Sequence, residues 1–270
     1  MAAGDFHAAP GAGHETVLVL DFGSQYTQLI ARRVREQHVY CRILPCDAPI
    51  AAIRSMSPAA IILSGGPASV WAGDSPRCDH EVFGLGVPLL GLCYGMQMIC
   101  GDMGGAVAPA SHREFGRAAL HVDCTAGLFA GLPETMDVWM SHGDRVESLP
   151  EGFEVVAHTE HAPYAAVRHE ERRIYGLQFH PEVAHTPHGP EMLEAFLFEI
   201  AECRAYYGFD KPFVVRYVLW LGHVVRGDLG RSYAYNRPVL ELIAPRVTST
   251  LSLTLSALVV SWSLAIFFGT

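Results

Sequence analysis

The stretch Val87-Pro88-Leu89-Leu90-Gly91-Leu92-Cys93-Tyr94-Gly95-Met96-Gln97 constrains the chain more than any other. An apolar run reaches Gly91, a cysteine follows two residues later, and Gly95 precedes a helix-like Met-Gln-Met-Ile-Cys. The pattern predicts strand, tight turn, helix. A side chain displayed at such a corner needs its neighbours drawn in close. Small residues are therefore required two before and two after it, as Gly91 and Gly95 provide. Cys93 is expected at the C-terminal edge of a sheet, beside the first N–H groups of a helix. Such groups, with the positive helix end, favour a thiolate and can hold a developing oxyanion. The same residues also fit a buried structural cysteine in a Gly-rich loop, since free cysteine is among the most buried residue types. On the pentapeptide alone both readings stand.

The flanking sequence tells what kind of sheet this is. Residues 16–22 are an apolar run fit for a buried parallel strand, and residues 26–36, with Ile30, Val34 and the basic Arg32, Arg33 and Arg35, predict an amphipathic helix. Strands follow at 40–45 and 59–63, the latter ending in Ser64-Gly65-Gly66-Pro67. This alternation predicts an α/β fold with a mostly parallel sheet flanked by helices, its ligand sites at the C-terminal strand edges. From 104 to 175 short apolar segments at 118–122, 136–140, 154–157 and 165–167 suggest a small antiparallel flank. A last strand at 174–179 delivers His180-Pro181-Glu182, and a helix over 191–202 closes the unit.

A cysteine nucleophile needs a base and a group that orients the base. His180 and Glu182 supply both if the 174–179 strand lies beside the cysteine corner, because alternation sends residues 180 and 182 to one side of an extended segment. Ser64-Gly65-Gly66-Pro67-Ala68-Ser69 invites a phosphate-loop reading, but it lacks Gly-Lys-Ser/Thr and its proline removes a donor. A formal charge of −9 argues against a general nucleic-acid partner. The seven scattered cysteines contain no C-x-x-C pair, which argues against a disulfide framework or a zinc ribbon, and no metal site is expected.

Gly-Leu-Cys-Tyr-Gly-Met-Gln at 91–97, Ser-Gly-Gly-Pro at 64–67 and Gln-Phe-His-Pro-Glu-Val at 178–183 resemble, in order, the three signatures of class I glutamine amidotransferase domains, which are flavodoxin-like. Within that class the amidotransferase domains of GMP synthases are most similar, through residues 20–30, 139–144 and 185–189. The resemblance implies that Cys93 attacks the carboxamide of L-glutamine, that His180 is base and then acid, and that Glu182 orients His180. It further implies an oxyanion hole from the backbone N–H groups of Gly66 and Tyr94, and substrate contacts from Gln97, Ser141, His142 and Asp144. Without the family, residues 141–144 would read as a polar turn between two strands. The ammonia would serve XMP to GMP conversion by an ATP pyrophosphatase domain or subunit. That partner would hold ATP and Mg, so no cofactor is expected in this chain.

Residues 206–270 resemble a different family, the inner-membrane permeases of peptide ABC transporters. The resemblance rests on Tyr207-Gly208-Phe209-Asp210-Lys211-Pro212, Arg226-Gly227-Asp228-Leu229-Gly230-Arg231-Ser232-Tyr233 and Arg237-Pro238-Val239-Leu240-Glu241. That family's first membrane helix and transport core have no counterpart here. Residues 247–270 carry no charged side chain and are long enough to span a bilayer. The expected organisation is thus a disordered tail over 1–14 without signal-peptide character, an amidotransferase domain over 15–203, and a permease-like fragment over 204–270. The junction near residue 205 admits an artefactual fusion, a real membrane tether, or a soluble helical appendage. The amidotransferase part is expected in the cytoplasm, with possible inner-membrane contact through 247–270. The alternative to a thiol glutaminase is a non-catalytic, membrane-anchored chimera in which the same fold serves only for docking, or a truncated ABC transporter permease fragment.

Overall fold

The computed structural model describes residues 15–203, 213–229 and 239–269. The tail 1–14, and the parts of the permease-like motifs within 204–212 and 230–238, lie outside the described residues. The chain divides into two compact units, residues 1–208 and 209–270.

In the first unit β1 (Thr16–Asp21), β2 (Tyr40–Pro45), β3 (Ala60–Leu63) and β4 (Leu89–Leu92) are interleaved with α1 (Thr27–Glu36) and the short α2 (Ile50–Ser55). After β4 come α3 (Tyr94–Asp102) and the strands β5 (Ala106–Val122), β6 (Thr135–Ser148), β7 (Glu154–His158), β8 (Ala166–His169) and β9 (Ile174–Leu177), then α4 (Gly189–Ala195). All nine strands join one mixed sheet in the order β2-β1-β3-β4-β9-β8-β7-β5-β6. The first five in that order pair in parallel. The rest pair antiparallel.

The parallel half reads as continuous apolar runs because both of its faces are covered. In β1, Val17 and Val19 enter one core while Leu18 and Leu20 enter the other, and all four are fully buried. On α1, Ile30, Ala31 and Val34 share the buried stripe, and Arg33 and Arg35 sit in the last turn, where cations suit the helix dipole.

The antiparallel part is larger than the sequence predicts. Instead of a small flank of short strands, β5 and β6 are 17 and 14 residues long and pair along most of their length. The polar run and Pro109 that seem to interrupt a strand are absorbed by an irregularity between Pro109 and Glu114. A second difference is α2, whose single fully buried residue, Ile53, leaves no periodic signal. The closing helix is not one regular element either, for α4 passes into a π-helical turn at Phe196–Ile200.

The corner between β4 and α3 places Cys93 at φ 50°, ψ −103°, a left-handed conformation that costs a non-glycine residue on the order of 1–3 kcal/mol. The corner is tight. A Cβ on Gly91 would lie 2.6 Å from the Met96 nitrogen, and one on Gly95 would lie 2.5 Å from the Leu63 carbonyl oxygen in β3. The second unit, described by itself, contains α5 (Phe213–Val225) and α6 (Val239–Phe268).

Gly95→Ala is expected to destabilise the protein by about 2–3 kcal/mol, the cost of forcing a methyl into a packed backbone contact. Gly84→Ala, where an added Cβ meets nothing within 4 Å, should fall within about 0.5 kcal/mol of wild type. Urea denaturation of the two variants checks the contrast.

Candidate active site

The β4 corner delivers Cys93 to a cleft of about 570 Å³ at the C-terminal edge of the parallel strands. Its N–H donates to the Leu177 carbonyl at 2.7 Å, which locks the corner to the end of β9. The chain beyond β9 then bends rather than continuing as a strand, so His180 and Glu182 follow a turn and not the extended segment that alternation assumes. They still meet: His180 Nδ1 and Glu182 Oε1 are 2.7 Å apart.

Several contacts hold this turn in place. The His180 N–H donates to the Trp139 carbonyl at 3.0 Å, and the Thr186 hydroxyl donates to the His180 carbonyl at 2.7 Å while accepting from the Trp139 N–H. Trp139 lies in β6, the far edge strand of the sheet. The antiparallel half therefore curls back over the parallel half and walls the cleft. Arg33 on α1 donates to the Glu182 carbonyl at 3.0 Å, and the Tyr26 ring stands edge-on to the imidazole at 5.2 Å.

Glu182 is fully buried, and its Oε2 has no hydrogen-bond partner. A carboxylate so placed requires a nearby cation. Burial by itself pulls the His180 pKa down, but hydrogen bonds to Cys93 and Glu182, together with their charges, outweigh it and push the value up to about 10. His180 is thus a cation at neutral pH, with Glu182 behind it and Cys93 before it.

Of the other residues singled out from sequence, Gly66, Tyr94, Gln97, Ser141, His142 and Asp144 all line the cleft with Cys93 and His180. Residues 141–144 are not a turn. They continue β6, where burial alternates through Met136, Val138, Met140, His142, Asp144 and Val146. That two-residue period carries the polar His142 and Asp144 onto the inward face, a signal already legible in the sequence. Gln97 is constrained in a way the sequence does not show. Its Nε2 donates both to the Asp144 carbonyl, at 2.8 Å, and to Gln178 Oε1, at 3.2 Å.

Three further residues are given no role by the sequence reading. Glu114 lies directly opposite His142 in the β5–β6 ladder, 3.2 Å from its Nε2, and Thr159 donates to the same carboxylate. Burial is the largest influence and raises the Glu114 pKa, but the bond to His142, the His142 charge, the bond to Thr159 and the His161 charge together outweigh it and the net shift is downward. Gln178 lies within the His-Pro-Glu signature and points its Nε2 at Cys93 Sγ, 3.6 Å away. No metal-binding group of three or more His, Cys, Asp or Glu occurs among the described residues.

Residues 18–200 match the family model described as glutamine amidotransferase class-I. Over 200 residues, or 74% of this chain, the sequence is 50% identical to a glutamine-hydrolysing GMP synthase of Caldanaerobacter subterraneus, and over 190 residues it is 55% identical to one of Syntrophomonas wolfei. The chain spans less than two fifths of the length of these relatives, 39% and 37%. Among solved structures, a GMP synthase subunit candidate from Thermoplasma acidophilum is 31% identical, with a TM-score of 0.61 over 70% of this chain and 95% of its own. A glutamine amidotransferase of Thermotoga maritima, 22% identical with a TM-score of 0.50, shares the fold over 70% of this chain and 85% of its own.

The raised His180 pKa has a consequence for stability. A histidine at about 10 when folded and 6.5 when unfolded contributes stability that is complete below pH 6.5 and is lost as pH rises through 10. The unfolding free energy should therefore fall between pH 6.5 and 10. The fall should be shallower in Glu182→Gln, which removes one support of the imidazolium. Urea titrations at pH 6, 8 and 10 check this, and equal slopes in the two proteins would contradict it.

Proposed function

The chain belongs to the class-I glutamine amidotransferase family, and on that footing we propose that it hydrolyses L-glutamine through a Cys93 thioester and supplies ammonia to a GMP-synthase-type partner. The observation that carries this reading is that Cys93 and His180, from two strand ends, meet in one cleft with Glu182 buried behind the imidazole.

The sulfur attacks the side-chain carboxamide carbon while the thiol proton resides on His180. The charge that develops on the carbonyl oxygen is taken up by the N–H groups of Gly66 and Tyr94, the latter at the positive end of α3. His180 gives its proton to the departing nitrogen, which leaves as ammonia, and the thioester remains. His180 then takes a proton from water, the resulting hydroxide attacks the thioester carbon, and glutamate leaves as the sulfur regains its proton. Glu182 accepts from Nδ1 throughout and stabilises the imidazolium formed in each half. Gln97, with both amide hydrogens engaged, offers the substrate its oxygen, and Ser141, His142 and Asp144 supply the facing wall.

The ammonia is consumed by an ATP pyrophosphatase domain or subunit that converts XMP to GMP, and this half of the work is cytoplasmic. Two features suit a partner at the mouth. Phe115, which lines the cleft, and Trp71, on the loop that follows Gly66, are the exposed large apolar residues among the described residues of the first unit. Cys93→Ala should abolish glutamate release from glutamine, and Glu182→Gln should lower kcat by about 100-fold or more. Hydrolysis retained by Cys93→Ala, followed by a coupled glutamate assay, overturns the reading.

For the second unit the reading is a permease-like segment whose α6 enters a membrane. The helix is about 45 Å long against a hydrocarbon core of about 30 Å, and it carries no charge from residue 247 onward. Six hydroxyls, on Ser249, Thr250, Ser252, Thr254, Ser256 and Ser263, each donate to a carbonyl three or four residues back. No lipid contact need leave those donors unpaired. The full chain should resist carbonate extraction from membranes, and Leu255→Arg, at a cost of about 3 kcal/mol in the helix centre, should release it.

A further inference from the structure

A buried chain of hydrogen bonds ends on the nucleophile, and its direction is set by one atom. The Asp144 carbonyl oxygen can only accept. It accepts from His142 Nδ1–H at 3.0 Å and from Gln97 Nε2 at 2.8 Å, which uses both of its lone pairs. The second Gln97 hydrogen goes to Gln178 Oε1. An amide whose oxygen is committed in this way must present its nitrogen on the other side, and there Gln178 Nε2 meets Cys93 Sγ at 3.6 Å. At the far end, His142 Nε2 faces the Glu114 carboxylate, itself held by Thr159. Both His142 nitrogens thus face acceptors, and every link from Glu114 to the sulfur joins one donor to one acceptor. Gln97, Gln178 and the His142 side chain are nearly inaccessible to water, so a reversed amide would find no solvent to compensate it.

The sulfur has a competing partner. At the same distance, 3.6 Å, the Cys93 thiol donates to the Ser141 carbonyl. That oxygen stabilises the thiol and repels the thiolate, whereas an amide N–H does the reverse.

We infer that Gln178 is a donor to the Cys93 thiolate, set in direction by Gln97 and the Asp144 carbonyl, and that it offsets the Ser141 carbonyl so that the sulfur is held in its attacking form. As the thiol the sulfur bonds to Ser141, and as the thiolate paired with the His180 imidazolium it exchanges that bond for the one from Gln178. The ionisable groups around it are His180, backed by Glu182 on the turn after β9, with His142 and Asp144 of β6, Tyr26 before α1 and Tyr94 of α3 sharing the cleft. No lysine or arginine lines the cleft among the described residues. The inference takes from the functional reading that Cys93 is the nucleophile, but its test does not need glutamine.

The test uses the full chain, carbamidomethylated with iodoacetamide across pH 5–10, with the Cys93 peptide followed by mass spectrometry. Gln178→Met keeps the volume and removes the donor, while Gln178→Asn withdraws the donor by one methylene. Either variant, if folded by circular dichroism, decides the matter. The expected result is a Cys93 alkylation rate at pH 7 lower by about 3- to 10-fold, with the midpoint of its pH profile raised by about one unit, the effect of one charge-assisted hydrogen bond. A role in packing alone would leave the midpoint where it is. An unmoved midpoint in a folded variant overturns the inference even where wild type hydrolyses glutamine, and a raised midpoint supports it even where wild type does not.

Discussion

Between Gly91 and Gly95 the backbone turns from the centre of a parallel sheet into a helix with almost no free space, and Cys93 is carried through the turn in a left-handed conformation. The penalty of that conformation is met by what surrounds it. A 2.7 Å bond from the Cys93 N–H to Leu177 ties the corner to β9, and the glycines let α3 and β3 close on it from both sides. The rest of the site is referenced to this one geometry. It fixes the height of the sulfur above the sheet, the start of α3 beside it, and the strand end from which His180 departs.

The electrostatics follow the same economy. Glu182 sits without access to water and with one oxygen unpartnered, a placement tolerated because His180 carries a compensating proton. Glu114 and His142 form a second buried pair on the opposite wall, bonded across neighbouring strands. Each pair meets the cleft through its histidine, and the carboxylates lie behind. The carboxylates of both pairs are thereby set back from the cleft lining.

The parallel half was open to sequence reasoning because its signals are local. Apolar runs at 16–21, 40–45, 60–63 and 89–92 and the glycine spacing around Cys93 need no knowledge of the remainder. The antiparallel half was less so. Pro109, Gly116 and a polar run disguise a strand that an irregularity carries past them, and no local pattern reveals that β6, at the far edge, returns to Trp139–His180 contact. Gln178 and Glu114 escaped for a related reason. Their chemistry depends on partners 85 and 28 residues away, at Cys93 and His142. By contrast, the inward position of His142 and Asp144 was written in the alternation of β6 and needed only to be counted.

That return of β6 has a consequence for the chain as it is made. The sulfur at 93 has its Ser141 partner 48 residues later and its Gln178 partner 85 residues later, and His180 comes after both. Until the segment beyond β9 has left the ribosome, neither the contacts that seat β6 at Trp139 nor the His180 side chain is in place around Cys93. The surroundings of Cys93 are therefore assembled only after the segment beyond β9 has been made, and a nascent chain short of that point presents the sulfur without them.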